Sequence, residues 1–132
     1  MAGFVQQVLA AASAAPAWPA LPHRAVERAR EFLNAEPGRA HTLAQIAAAA
    51  RCSAFHLARG FRRHTGLSLH GYRTRLRMAI AVQRLAEGER DLTALALDLG
   101  YSSHSHFSAV FRRQFGCAPR EVRRNLTAAM PA

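Results

Sequence analysis

The chain has 132 residues, half of them apolar, enough for one compact unit or two very small ones with a buried core. Its 18 basic residues, all arginine, face 8 acids for a formal charge of +10. The excess is lopsided: residues 1–50 hold four Arg and three Glu (net +1), residues 51–132 fourteen Arg and five acids (net +9). That asymmetry calls for a polyanionic partner, nucleic acid ahead of an acidic membrane surface, and no window reaches the roughly eighteen uninterrupted apolar residues of a membrane span.

The N-terminal "MAGFVQQVLAAASAAPAWPALP" lacks the positive start of a secretory signal, and Gln6 and Gln7 break its apolar run, so residues 1–22 read as a leader or the remnant of another domain. From residue 23 the pattern is helical. "HRAVERAREFLNAEPG" places Val26, Ala29 and Leu33 on one stripe and stops at Pro37-Gly38. "TLAQIAAAA" opens with Thr42 three residues before Gln45, a capping-box spacing, and sends Leu43, Ile46, Ala47 and Ala50 inward. Ser53 is the N-cap of "AFHLARGFRRHT", which Gly66 closes. "SLHGYRTRLRMAIAVQRLAEG" is a longer connecting helix with Met78, Ala81, Val82 and Leu85 on its apolar stripe.

From Asp91 the pattern recurs: "LTALALDLG", the turn "YSS", then "HSHFSAVFRRQF" closed by Gly116, and a short last helix opened by Pro119. The phrases "FRRHTG" and "FRRQFG" are fifty positions apart, as are Leu57 and Phe107, Phe61 and Phe111, Gly66 and Gly116, and the pair Tyr72-Arg73 and Val122-Arg123. Ile46 and Ala47 match Leu95 and Ala96 at forty-nine instead, so the one-residue difference falls between helices, where a turn absorbs it. No stretch alternates with a strand's period. The expected fold is all-α: two helix-turn-helix units joined by a long linker helix, about seven helices in total.

In such a unit the second helix enters the major groove and the first crosses the backbone. At 100 degrees per residue, Leu57 and Phe61 mark the buried side of the first basic helix, and Phe55, Arg59 and Arg62 lie opposite, within about 60 degrees of one another. An aromatic ring beside guanidinium groups suits a thymine methyl next to a guanine edge. In the second unit Phe107, Val110 and Phe111 point inward, and His104, Ser105, Ser108, Ala109 and Arg112 outward. Ala109 stands where the first unit has Arg59, so the first unit is expected to discriminate sequence and the second to position the duplex. Arg62, Arg63, Arg112 and Arg113, near the helix ends, are the expected phosphate contacts.

Catalysis has no support: His104 and His106 diverge on a helix, and no carboxylate or cysteine stands at metal-ligand or nucleophile-base spacing. No catalytic residue, metal or cofactor is expected. Cys52 and Cys117 form no ligand pair and no disulfide framework, which fits a reduced cytoplasmic setting with both thiols buried or half-buried. The rival to DNA binding is a basic helical module for RNA or an accessory protein-interaction domain; a membrane-surface role conflicts with apolar faces committed to the core.

Residues 23–125 resemble the DNA-binding domain of AraC/XylS-type transcription regulators. The resemblance rests on "DLTALALDLGYSSHSHFSAVFRRQFGCAPREVR", with its small-residue helix, Gly-aromatic, Ser, Phe-basic-basic, Phe-Gly and closing Pro and Arg, and on the linker-like "RMAIAVQRLAEGERDL" with Arg77, Ala81 and Leu85. It implies helix-turn-helix units at about 42–66 and 91–116, a linker helix at about 68–87, a closing helix at about 119–124 and a tail at 126–132. It implies base contacts from Phe55, Ala58 and Arg59 in the first unit and His104, Ser105 and Ala109 in the second. Most members of that family carry a separate sensing or dimerisation domain, so the chain resembles a stand-alone member or a fragment of a longer regulator. The implied partners are double-stranded DNA, bound by one copy of the chain, and RNA polymerase, with location in the cytoplasm and on the nucleoid when bound.

Overall fold

The structure, a computed structural model, describes residues 20–129; the run "FVQQVLAAASAA" and the last three residues lie outside them. The described residues form seven helices and no strand: α1 His23–Ala35, α2 Leu43–Ala50, α3 Ala54–Thr65, α4 Leu69–Ala86, α5 Leu92–Asp98, α6 His104–Phe115 and α7 Pro119–Ala129. Each break has a local cause. Thr42 and Gln45 close a reciprocal capping box at α2, and the hydroxyls of Ser53 and Ser103 each accept from the backbone N–H three residues on, at 3.1 Å, to start α3 and α6. Gly66 and Gly116, both at φ 76°, end those helices in the left-handed conformation that glycine adopts without a Cβ penalty.

The duplication extends to the turns. The Cys52 N–H donates to the Ala47 carbonyl at 3.1 Å, and the Tyr101 N–H to the Ala96 carbonyl at 3.0 Å. The residue before each is left-handed: Arg51 at φ 61° in the first unit, Gly100 at φ 88° in the second. The additional residue of the second turn is Ser102, which follows Tyr101. Arg73 donates to the carbonyls of Arg39 and His41, and Arg123 to that of Arg90, so the same arginine ties down the segment ahead of the first helix in each unit.

Two apolar cores result, with no residue in common. The first gathers Ala25, Val26, Ala29 and Leu33 of α1 with Ile46, Ala47, Ala50, Leu57 and Phe61, and Leu69 and Tyr72 at the start of α4 pack against it. The second gathers Met78, Ala81 and Leu85 of the later turns of α4 with Leu92, Leu95, Ala96, Leu99, Tyr101, Phe107 and Phe111. Helix α4 is thus a wall of both, as the shift of apolar positions along it requires.

Several expectations change. Leu43 shares the inward stripe by angle but is 41 % exposed, because it sits in the first turn of α2 where no other element covers it. Val82 and Val110 are half-buried at the edge of the second core rather than inside it. Leu21, ahead of α1, is 2 % exposed and covers Gly60, whose missing side chain makes room for it. Helix α7 is longer than its expected 119–124, reaching Ala129, and Leu126 packs against the second core, which gives the added turn something to hold.

Candidate nucleic-acid interface

Helix α3 places Leu57 and Phe61 fully inside the first core and leaves Phe55, Ala58, Arg59, Arg62 and Arg63 exposed. Phe55 is 55 % exposed, with the Arg59 guanidinium 5.5 Å from its ring centroid. Stacking of this kind restrains both side chains. The outward row expected of residues 55, 59 and 62 is therefore present, joined by Ala58.

In α6, Ser105, Ala109, Arg112 and Arg113 are exposed, whereas His104 and Ser108 are half-buried, with Ser108 Oγ 3.5 Å from His104 Nε2. The difference from the expected full exposure has a tertiary cause. The start of α7 runs beside this face and, with it, forms a groove of about 510 Å³ lined by His104, Ser105, Ser108, Arg112, Arg120 and Arg124 among others. Arg120 and Arg124 are not singled out by the periodicity of the repeat; the signal for them is the basic run "PREVRR" at the start of the closing helix. Glu121 is the one acid among the lining residues.

The arginine pairs Arg62-Arg63 and Arg112-Arg113 occupy the last turns of α3 and α6, where the carbonyl ends of the helix favour positive charge. Among the described residues Arg30, Arg39 and Arg84 form ion pairs, away from these faces. Helices α3 and α6 carry no acid of their own, and Glu121 of α7 is the one acid in the groove beside α6. Cys52 is half-buried and burial pushes its thiol pKa up, away from reactivity; Cys117 is half-buried as well. No described helix is long and apolar enough to cross a membrane.

A family model described as a helix-turn-helix domain matches residues 46–125. A putative AraC-like transcription regulator of Streptomyces antibioticus is 35% identical over 100 residues, 76% of this chain and 33% of that protein. Among solved structures, a transcriptional regulator with an AraC-type DNA-binding domain from Chromobacterium violaceum superposes with a TM-score of 0.74 at 28% identity, over 82% of this chain and 95% of that one. The DNA-binding domain of AdpA, a global transcriptional factor solved in complex with a target DNA, shares the fold with a TM-score of 0.71 at 24% identity, over 80% of this chain and 96% of that one. The chain spans 24% to 34% of the length of curated relatives that it matches. With the matched region covering both helix-turn-helix units, the chain belongs to the AraC-type helix-turn-helix family of transcription regulators.

Proposed function

We infer that the chain binds double-stranded DNA sequence-specifically through α3 and α6, laid in successive major-groove segments, and regulates transcription. The observation that carries this reading is the matched pair of exposed faces: each helix is anchored by buried aromatic or aliphatic side chains on one side and presents polar and arginine side chains without acids on the other. AdpA's domain, with the same fold, was solved on its target DNA. In this reading Phe55, Ala58 and Arg59 meet base edges from the first unit, and His104, Ser105, Ser108 and Ala109 from the second. Arg62, Arg63, Arg112 and Arg113 meet phosphates, with Arg120 and Arg124 added along the groove wall. The functional unit is residues 23–125, with 1–22 ahead of it and 126–132 behind. It acts by binding and not by catalysis, as one copy of the chain, in the cytoplasm and on the nucleoid, with RNA polymerase as the protein partner.

Two units in one chain imply target segments about one helical turn apart, roughly 10 base pairs, and a site of about 20. A stiff α4 favours DNA that bends to meet both. Selection of duplexes from a random pool, followed by competition against RNA and anionic vesicles, tests the reading. Enrichment of a bipartite duplex motif is expected, and a footprint over a single groove segment or preference for RNA would contradict it. Arg59→Ala is expected to cost about 1–3 kcal/mol of discrimination at its base pair and His104→Ala less, read on single-base variants of the selected site.

A further inference from the structure

We propose that Arg77 and the backbone contact between Gly38 and Gly100 form a clamp that fixes the rotation of the second helix-turn-helix unit against the first, and thereby sets which half-site spacing the protein accepts. The proposal rests on the two-unit DNA reading above. Its basis is that the two cores share no side chain, and the helix that continues from one to the other is α4, through the span from Tyr72 to Met78. A single helix is a poor restraint on bending and twisting about its own axis; a second tie away from that axis is what makes two bodies rigid.

The second tie is present. The loop between α1 and α2 lies against the turn between α5 and α6, so close that a Cβ on Gly38 would run into the Asp98 carbonyl oxygen, and a Cβ on Gly100 into the Gly38 carbonyl oxygen. Only glycine permits this approach from either side, and Gly100 also holds φ 88°. Arg77, from the middle of α4, closes it. Its Nε donates to the Pro37 carbonyl at 2.8 Å, its Nη2 lies 2.9 Å from where a Gly100 Cβ would stand, and its guanidinium sits 5.4 Å from the Tyr101 ring centroid. One planar side chain thus touches the linker, the first unit's loop and the second unit's turn.

Each end of the clamp leads to a DNA-facing element. On the first unit, the clamped loop runs through Arg39 and His41, whose carbonyls Arg73 holds, into the Thr42 capping box of α2. On the second, Tyr101 packs edge-on against His106 at 5.2 Å and against Phe107 at 5.8 Å, in the first turn of α6. Arg84, one helical stretch beyond Arg77, pairs with Asp98 at 2.9 Å and holds the end of α5 in place. Arg77 is therefore a positioning residue: it contacts no base and acts by where it places α6.

The test uses the full chain with Arg77→Ala and, from the opposite side, Gly38→Ala, plus Arg75→Ala as an exposed control that removes the same charge from the same helix. On the selected duplex and its variants with one base pair inserted or deleted between half-sites, the unaltered chain and Arg75→Ala should lose about tenfold in affinity per changed pair. Arg77→Ala and Gly38→Ala should flatten that loss to about twofold while keeping single-base preferences within each half-site. A lower affinity with an unchanged spacing profile overturns the clamp. A readout without DNA accompanies it: residual dipolar couplings of amides in α3 and α6 should fit one alignment tensor in the unaltered chain and two in the clamp variants. One tensor for all overturns the clamp even if no duplex is bound, whereas absence of duplex binding with two tensors in the variants overturns only the DNA reading.

Discussion

Arg51 is the non-glycine among the described residues with positive φ, 61°, and it occupies the turn position that the second unit gives to Gly100. A left-handed residue with a Cβ is strained by about 1–2 kcal/mol, part of which glycine returns through the greater freedom of its unfolded chain. Arg51→Gly is therefore expected to stabilise by about 0.5–1 kcal/mol, read as a higher midpoint in thermal unfolding. His41 makes a second residue-scale prediction. Its ring stacks on Phe32 with centroids 4.4 Å apart and its Nε2 is buried without a hydrogen-bond partner. Burial first, then the charges of Arg39 and Arg73, hold its pKa below the ordinary value. The neutral ring is thus favoured in the folded state. Its contribution is fully present above the unfolded pKa of about 6.5 and is lost as pH falls from there through the lower folded value. Urea unfolding from pH 7 to pH 5 should show stability falling less steeply in His41→Phe than in the unaltered chain; parallel profiles would dismiss the assignment. The other histidines are common to both proteins and cancel in the comparison.

At the scale of elements, the paired arginines of α4 and α7 each hold the segment ahead of a unit's first helix. Arg73 is half-buried and donates to the Arg39 carbonyl at 2.8 Å and the His41 carbonyl at 3.3 Å, and Arg123 donates to the Arg90 carbonyl at 2.9 Å. Arg73→Met leaves the Arg39 and His41 carbonyls short of a partner and should cost about 1–3 kcal/mol, read from urea midpoints at constant m. An unchanged midpoint would mean that these two carbonyls do not depend on Arg73. This pair also shows what a sequence discloses. The equivalence of Arg73 and Arg123 was visible as a matched spacing, and so were the caps at Thr42, Ser53, Gly66 and Gly116, because capping and helical phase are settled within a few residues. The outward row of Phe55, Arg59 and Arg62 followed from the same phase. What was not visible depends on elements distant in the chain: the cover that α7 gives His104 and Ser108, the exposure of Leu43, the seat of Leu21 over Gly60, and the loop of Gly38 against Gly100. Periodicity tells which side of a helix is apolar, but not where the neighbour that covers it ends.

For the whole molecule, the formal charge of +10 and its concentration after residue 50 make association with DNA sensitive to salt. Arg62→Ala, at a proposed phosphate contact, should flatten the plot of log affinity against log salt by about one unit, measured by titration from low to moderate salt; an unchanged slope would remove Arg62 from the proposed phosphate contacts.

Helix α4 serves the first core with its opening turn and the second with its later ones, and this makes it a gauge of angular phase as well as a spacer. Each residue of an α-helix adds about 1.5 Å of length and about 100 degrees of rotation. One alanine inserted between Thr74 and Arg75 would barely lengthen the molecule, yet would turn the second unit by about 100 degrees relative to the first. Seven inserted residues would bring the rotation back to within about 20 degrees while separating the units by a further 10 Å or so. Rotation and reach are thus encoded by the same eighteen residues, and a lineage that altered the length of this helix would keep the relative facing of its two units only by adding or removing whole turns of it.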